Sequence, residues 1–113
     1  MAKLGVISSV TVFFKEVPIK FKIETVIDGP LKGDKKVVAG VDAIEFRKEL
    51  DKVVRAMEYG GIGKSLKEEN IEFYGMESIG RYIIKKLRAH FPVSYVRVWE
   101  GNDEYAIINA NEV

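Results

Sequence analysis

The segment from Met76 to Glu100, MESIGRYIIKKLRAHFPVSYVRVWE, constrains the fold of this chain most, because it runs a helix directly into a strand. Apolar residues recur at helical spacing from Met76 to about Ala89, which predicts a helix with one buried face. Phe91-Pro92 predicts the end of that helix. The stretch from Ser94 to Trp99 then has the composition of a strand, and the carboxylate of Glu100 follows it.

Three further strands are predicted from local patterns. Gly101-Asn102-Asp103 predicts a tight hairpin turn into a last strand from Glu104 to Asn109. Near the N-terminus, Leu4 to Phe14 is rich in β-branched and aromatic residues. From Val17 to Thr25 apolar residues alternate with charged ones, which predicts a half-buried strand that ends at the turn Asp28-Gly29-Pro30.

The middle of the chain predicts a first helix and a long loop. After a charged segment at 32–36, Val37 to Val41 predicts a short extension of the sheet. Asp42 is the predicted N-cap of the first helix. Its apolar stripe consists of Phe46, Leu50, Val53, Val54 and Met57. The stretch from Tyr59 to Asn70 carries three glycines and then polar residues, and it predicts a loop between two helices, of a length that often carries function.

The predicted order of elements is therefore β-β-α-α-β-β. It indicates an α+β fold in which four antiparallel strands carry both helices on one face. Residues 1–113 have the length of a single domain. A four-stranded sheet exposes two edge strands, and several subunits remove them when they close their sheets into a shared barrel. We therefore expect a homo-oligomer.

Charge and composition narrow the expected partners and location. Lys plus Arg (18) nearly balance Asp plus Glu (17), so no overall field predicts a nucleic acid or a membrane as partner. No apolar run approaches the roughly 20 residues that span a bilayer, and the N-terminus lacks the pattern of a signal peptide, which predicts a cytoplasmic protein. The abundance of Lys and Glu is typical of thermophiles. There is no Cys, which excludes thiolate zinc sites and a Cys nucleophile.

Several motifs together resemble a known family. They are Val41-Asp42 at the start of the first helix, Glu77-Ser78-Ile79-Gly80-Arg81-Tyr82-Ile83, and Phe91-Pro92-Val93 followed by Val96-Arg97-Val98-Trp99-Glu100. With the order of elements, they are similar to the 6-pyruvoyl-tetrahydropterin synthase family, which includes the 6-carboxytetrahydropterin synthases of queuosine synthesis. The resemblance implies the tunnelling fold, in which such subunits form oligomeric barrels, here with a hexamer favoured, and active sites lie between subunits.

The resemblance also implies a role for two carboxylates. In the family, the Glu of the third strand anchors the pterin, and Glu100 occupies that position after Val98-Trp99. One carboxylate can accept hydrogen bonds from the pterin 2-amino group and N3-H together. Alternation places Glu100 on the strand face of Val96 and Val98, at the end of an apolar row. Glu77 matches the family's Glu at the second helix, although any Glu is favoured in a first helical turn.

The family's catalytic residues are missing. Its His-Gly-His-Asn-Tyr pattern falls on Val17-Pro18-Ile19-Lys20-Phe21, and the only His of the chain, His90, cannot supply three zinc ligands. The family's Cys has no counterpart, and its Leu-Asp-His motif falls on Met57-Glu58-Tyr59. The sequence therefore predicts no metal, no cofactor and no zinc-dependent reaction, and it leaves open whether the protein is an enzyme.

Two hypotheses about function follow from these residues. In one, the protein retains the assembly without the chemistry and binds a pterin or purine-like ring through Glu100, or serves as a structural partner. In the other, it is a metal-free pterin enzyme that resembles dihydroneopterin aldolase and uses Tyr59, Tyr74, Glu58 or a Lys for acid-base work. Trp99 and Tyr105 flank the hairpin beside Glu100, where a planar ligand or a neighbouring subunit would lie.

Overall fold

An antiparallel hairpin forms the N-terminal part of the molecule, of which a computed structural model describes residues 2–30, 37–38 and 40–113. Its strands β1 (Ala2–Phe14) and β2 (Val17–Gly29) pair along their whole length. Lys15 and Glu16 form the turn with positive φ angles of 50° and 68°. The predicted boundary between the two strands is confirmed. Buried and exposed residues alternate strictly over most of β1, as expected for a strand with one buried face.

Two short strands come next and form a separate hairpin. They are β3 (Val37–Val38) and β4 (Val41–Asp42), which pair with each other. The prediction that Val37 to Val41 extend the main sheet is therefore wrong. Gly40 has a positive φ of 78°, which turns the chain back on itself between the two strands. The charged segment at 32–36 lies outside the described residues.

The first helix, α1 (Ala43–Gly60), begins as predicted at Asp42, whose side chain accepts a hydrogen bond of 2.8 Å from the backbone N–H of Ile44. Most of its predicted apolar stripe is fully buried. The predicted loop from Tyr59 to Asn70 is wrong, because α1 continues to Gly60 and a further helix, α2 (Ile62–Glu68), follows. Burial of Ile62 and Leu66, one helical turn apart, stabilises α2 despite its polar neighbours.

The third helix, α3 (Met76–Leu87), ends two residues before the predicted Ala89. Its predicted apolar face is confirmed, since these residues are all buried: Ile79, Tyr82, Ile83, Ile84 and Leu87. The chain then enters β5 (Val93–Glu100) and β6 (Glu104–Asn109), and a short 3-10 helix (Ala110–Glu112) follows. No helix in the described part of the chain is long and apolar enough to cross a membrane.

The four long strands form one antiparallel sheet in the order β1-β2-β5-β6. Val6, Thr25, Val96 and Ile108 lie side by side across it, in one row of buried residues. On this side Ser8, next to Val6 along its face, donates a hydrogen bond to Asp51 of α1, and α3 packs against Ile108. The expected α+β fold, a four-stranded antiparallel sheet with its long helices on one side, is therefore confirmed for the described residues.

The two faces of this sheet differ, and we name them by their residues. The helix face carries Phe21, Ile23, Val96 and Val98, which are buried against the helices. The outer face carries the alternate residues, among them Lys20, Lys22, Arg97, Trp99 and Tyr105. None of the described helices packs on the outer face at these positions, and Lys20, Lys22 and Tyr105 are exposed there.

Candidate functional site

Glu100 is the last residue of β5 and lies on the helix face. It pairs with Phe21 on one side and with Glu104 on the other, in the same row of the sheet. Val96 and Val98 are fully buried, whereas Glu100, the next residue on the same face of β5, is exposed. Its carboxylate has no hydrogen-bond or ion-pair partner among the described residues, so it is available to a ligand.

An aromatic cluster lies at the same end of the helix face. The ring centroids of Phe14 and Phe73 are 4.7 Å apart, and Phe73 meets Phe21 edge-on with centroids 6.5 Å apart. Directly opposite residues on one face of a sheet have neighbouring side chains, so Glu100 and Phe21 are neighbours. Phe21 itself is fully buried, so the aromatic surface open to a ligand at this end of the helix face comes from the half-buried Phe14 and Phe73. A carboxylate and an aromatic surface at one end of a sheet are the combination that a planar ring with polar edges needs.

A cleft of about 500 Å³ opens beside this cluster. Its walls come from the end of β1, from α2 and from the segment that follows α2: Phe14, Gly63, Leu66, Lys67, Asn70, Ile71, Glu72 and Phe73. Glu100 does not line the cleft itself. Sequence reasoning missed these walls, because it treated α2 as a loop; the signal that would have found them is the spacing of Ile62 and Leu66, followed by alternating Ile71 and Phe73.

Ser78 holds the chain in place just before α3. Its hydroxyl donates a 2.7 Å hydrogen bond to the carbonyl oxygen of Glu72 and accepts one of 2.6 Å from the backbone N–H of Tyr74. Ser78 is buried, so both bonds are protected from water. They position Phe73, which lies between the two bonded residues, against Phe14 and Phe21.

Two of the candidate acid-base residues, Tyr74 and Glu58, already have partners. The hydroxyl of Tyr74 donates a hydrogen bond to the carboxylate of Glu72, and this bond raises the pKa of Tyr74 above its ordinary value. Glu58 is paired with Arg55 one turn earlier in α1. Tyr59 belongs to α1, but its side chain lies outside the described residues. A tyrosine with a raised pKa is deprotonated to a smaller extent at neutral pH, so less of it is available as a base.

Glu77 has a partner on its own helix, and His90 lies far from Glu100. The side chain of Glu77 is 67% exposed in the first turn of α3, and its carboxylate lies 3.8 Å from Arg81. This arrangement stabilises the helix by itself. His90 lies just before β5 and thus at the opposite end of that strand from Glu100. At about 3.3 Å per residue, the strand separates the two by more than 20 Å.

The positions that match the family's zinc ligands carry hydrocarbon side chains. Val17 is 58% exposed beside the hairpin turn, and Ile19 is half-buried against the core. Ile19 pairs with Val12, which is also buried. Such side chains offer no lone pair to a metal, so these residues do not fit the family's zinc. Within the part of the chain that the structure describes, no three His, Cys, Asp or Glu residues are grouped to hold a metal ion.

No protein-family model matches the chain, and no curated protein matches it either.

Proposed function

We propose that this protein binds a planar ring of the pterin or purine type at the Glu100 end of its helix face, without zinc. One observation carries the proposal: an exposed carboxylate without a partner among the described residues ends an apolar row beside the cluster of Phe14, Phe21 and Phe73. The resemblance of Val98-Trp99-Glu100 to the pterin-anchoring strand of the 6-pyruvoyl-tetrahydropterin synthase family supports it.

The chemistry of recognition follows from the two parts of the site. The Glu100 carboxylate accepts two parallel hydrogen bonds from neighbouring N–H groups on the edge of the ring. Glu104, directly across the strand pair, adds a second negative charge and so favours an edge that carries donors over one that carries acceptors. Phe14 and Phe73, the half-buried members of the aromatic cluster, supply apolar area for the face of the ring.

The proposal describes a binding protein of the tunnelling fold rather than a zinc-dependent synthase. The sheet order β1-β2-β5-β6 and the packing of helices on one face are compatible with a subunit of a barrel, in which the free edges of β1 and β6 pair between copies. The aldolase-like alternative receives no support from Tyr74, since its raised pKa opposes a role as base.

A calorimetric titration with neopterin tests the binding site. We expect wild-type protein to bind, and Glu100→Gln to weaken binding about tenfold or more, because the amide presents donors to a ligand edge that also carries donors. The Kd of the wild type should not change when EDTA is added. Neopterin is the probe because it carries both N–H groups.

Glu45→Gln is the matched control, since Glu45 is an exposed carboxylate at the start of α1. The Kd of this variant for neopterin should equal that of the wild type. No heat of binding from wild type at millimolar neopterin would refute the pterin-type site. A tenfold effect of EDTA would refute binding without a metal.

A further inference from the structure

The outer face of the sheet has a second cleft, on the side opposite to Glu100. It measures about 300 Å³, at the lower end of the range for small-molecule sites. The lining residues are Ser9, Lys20, Lys22, Trp99, Gly101 and Asn102. Trp99 and Glu100 are consecutive in β5, and alternation directs them to opposite faces. The outer cleft is therefore separate from the proposed ring site.

A row of four residues crosses the outer face at this cleft. Ser9, Lys22, Trp99 and Tyr105 are lateral neighbours on β1, β2, β5 and β6. The ammonium of Lys22 lies 4.1 Å from the centroid of the Trp99 ring. The ring centroids of Trp99 and Tyr105 are 5.9 Å apart. The small Ser9 and Gly101 leave the space beside the indole open.

The positive charges of the cleft exceed what their neighbours balance. The guanidinium carbon of Arg97 lies 5.3 Å from the ring centroid of Trp99 and 5.3 Å from that of Tyr105. The Nε of Arg97 lies 3.7 Å from a carboxylate oxygen of Glu24. This distance is within the range of an ion pair, so Glu24 offsets the charge of Arg97, although the Nε has no hydrogen-bond acceptor among the described residues. Lys20 and Lys22 form no ion pair within the described part of the chain. The charges of the whole chain nearly balance, but Lys20 and Lys22 give this cleft a local excess of positive charge.

We propose that this outer cleft binds a nucleoside monophosphate. The base would stack on Trp99 in place of the Lys22 ammonium, and Lys20 and Lys22 would bind the phosphate. An indole ring accepts any base by stacking, and two ammonium groups form charge-assisted hydrogen bonds with phosphate oxygens. Pairing through the edges of β1 and β6 does not involve the central strands β2 and β5, so it is compatible with this site.

Fluorescence of Trp99 tests the proposal directly, because it is the only tryptophan in the chain. Adenosine 5′-monophosphate should quench it in a saturable way. Adenosine and inorganic phosphate should each bind more weakly, since each lacks one half of the recognised chemistry. Lys22→Gln should weaken binding of the monophosphate about tenfold, as expected for loss of a charge-assisted contact.

Lys52→Gln is the matched control, because Lys52 is an exposed lysine on α1, in the other layer of the molecule. It should bind the monophosphate as the wild type does. Equal weakening in both variants, or no quenching at millimolar concentration, would overturn the proposal. If an eight-residue oligodeoxyadenylate binds while the monophosphate does not, the face recognises single-stranded nucleic acid and the proposed ligand is wrong.

Discussion

Gly80 sets the distance between α3 and β6. A Cβ atom at this position would lie 2.4 Å from Cδ1, 2.8 Å from Cγ1 and 3.2 Å from Cβ of the buried Ile108. Although alanine has the higher helix propensity, we expect Gly80→Ala to lower the free energy of unfolding by about 1–3 kcal/mol, because the whole Ile108 side chain must shift. Urea unfolding followed by circular dichroism measures this change.

Gly63 offers a control for the same substitution. It lies in α2, and a Cβ there would meet no atom within 4 Å. Gly63→Ala should therefore leave stability unchanged or raise it slightly. A gain in stability for Gly80→Ala as well would show that α3 and β6 are not in close contact.

At the scale of elements, the β1-β2 turn places two ordinary residues in a backbone region that favours glycine. Lys15 and Glu16 both have positive φ, as in the type I′ turns that join twisted strands. We expect Glu16→Gly to raise the free energy of unfolding by about 1 kcal/mol, because glycine adopts this conformation without steric cost. Thermal and urea unfolding measure the gain.

Thr11→Gly is the comparison for this change, since Thr11 has ordinary strand geometry in β1. Glycine in the interior of a strand loses entropy without relieving strain, so this variant should be less stable than wild type. If Glu16→Gly is destabilising too, the turn does not have the left-handed geometry described.

The elements themselves differ in how far the sequence predicts them. The four long strands and the two long helices can be predicted from the regular spacing of their apolar residues, because their buried faces are continuous. Helix α2 does not, because only Ile62, Ser65 and Leu66 of its seven residues are buried. Its stability comes from the packing of Ile62 and Leu66 into the core, which is a tertiary contact.

At the scale of the whole molecule, the free edge of β1 predicts self-association. From Leu4 to Phe14 this edge strand has no charged residue, and Ile7 is 42% exposed on its outer face. Ile107 is 46% exposed on the same face of the other edge strand, β6. Long, uncharged edges with exposed apolar residues pair with further strands unless they are protected. We expect light scattering to find a homo-oligomer, with a hexamer favoured.

A charge on the edge should disrupt this assembly. Ile7→Lys is expected to shift the molar mass towards the monomer, because a charged side chain on an edge strand disfavours its pairing with a further strand. Ile44→Lys is the control, since Ile44 is 68% exposed on a helix, α1, and not on an edge strand. Dissociation by both variants, or a monomeric wild type, would contradict pairing through the edges.

The sequence by itself determined the four long strands and the two long helices, the absence of Cys and of three His for a zinc site, and the position of Glu100 at the end of an apolar row. These depend on residue type and on periods of two and 3.6, which are local properties. Only the tertiary structure decided that Phe73 meets Phe14 and Phe21 beside Glu100, and that Lys22 lies over Trp99 on the opposite face. Both clusters join residues far apart in the chain, and their contacts depend on strand register and on the fold of the segment between α2 and α3, which no local pattern specifies.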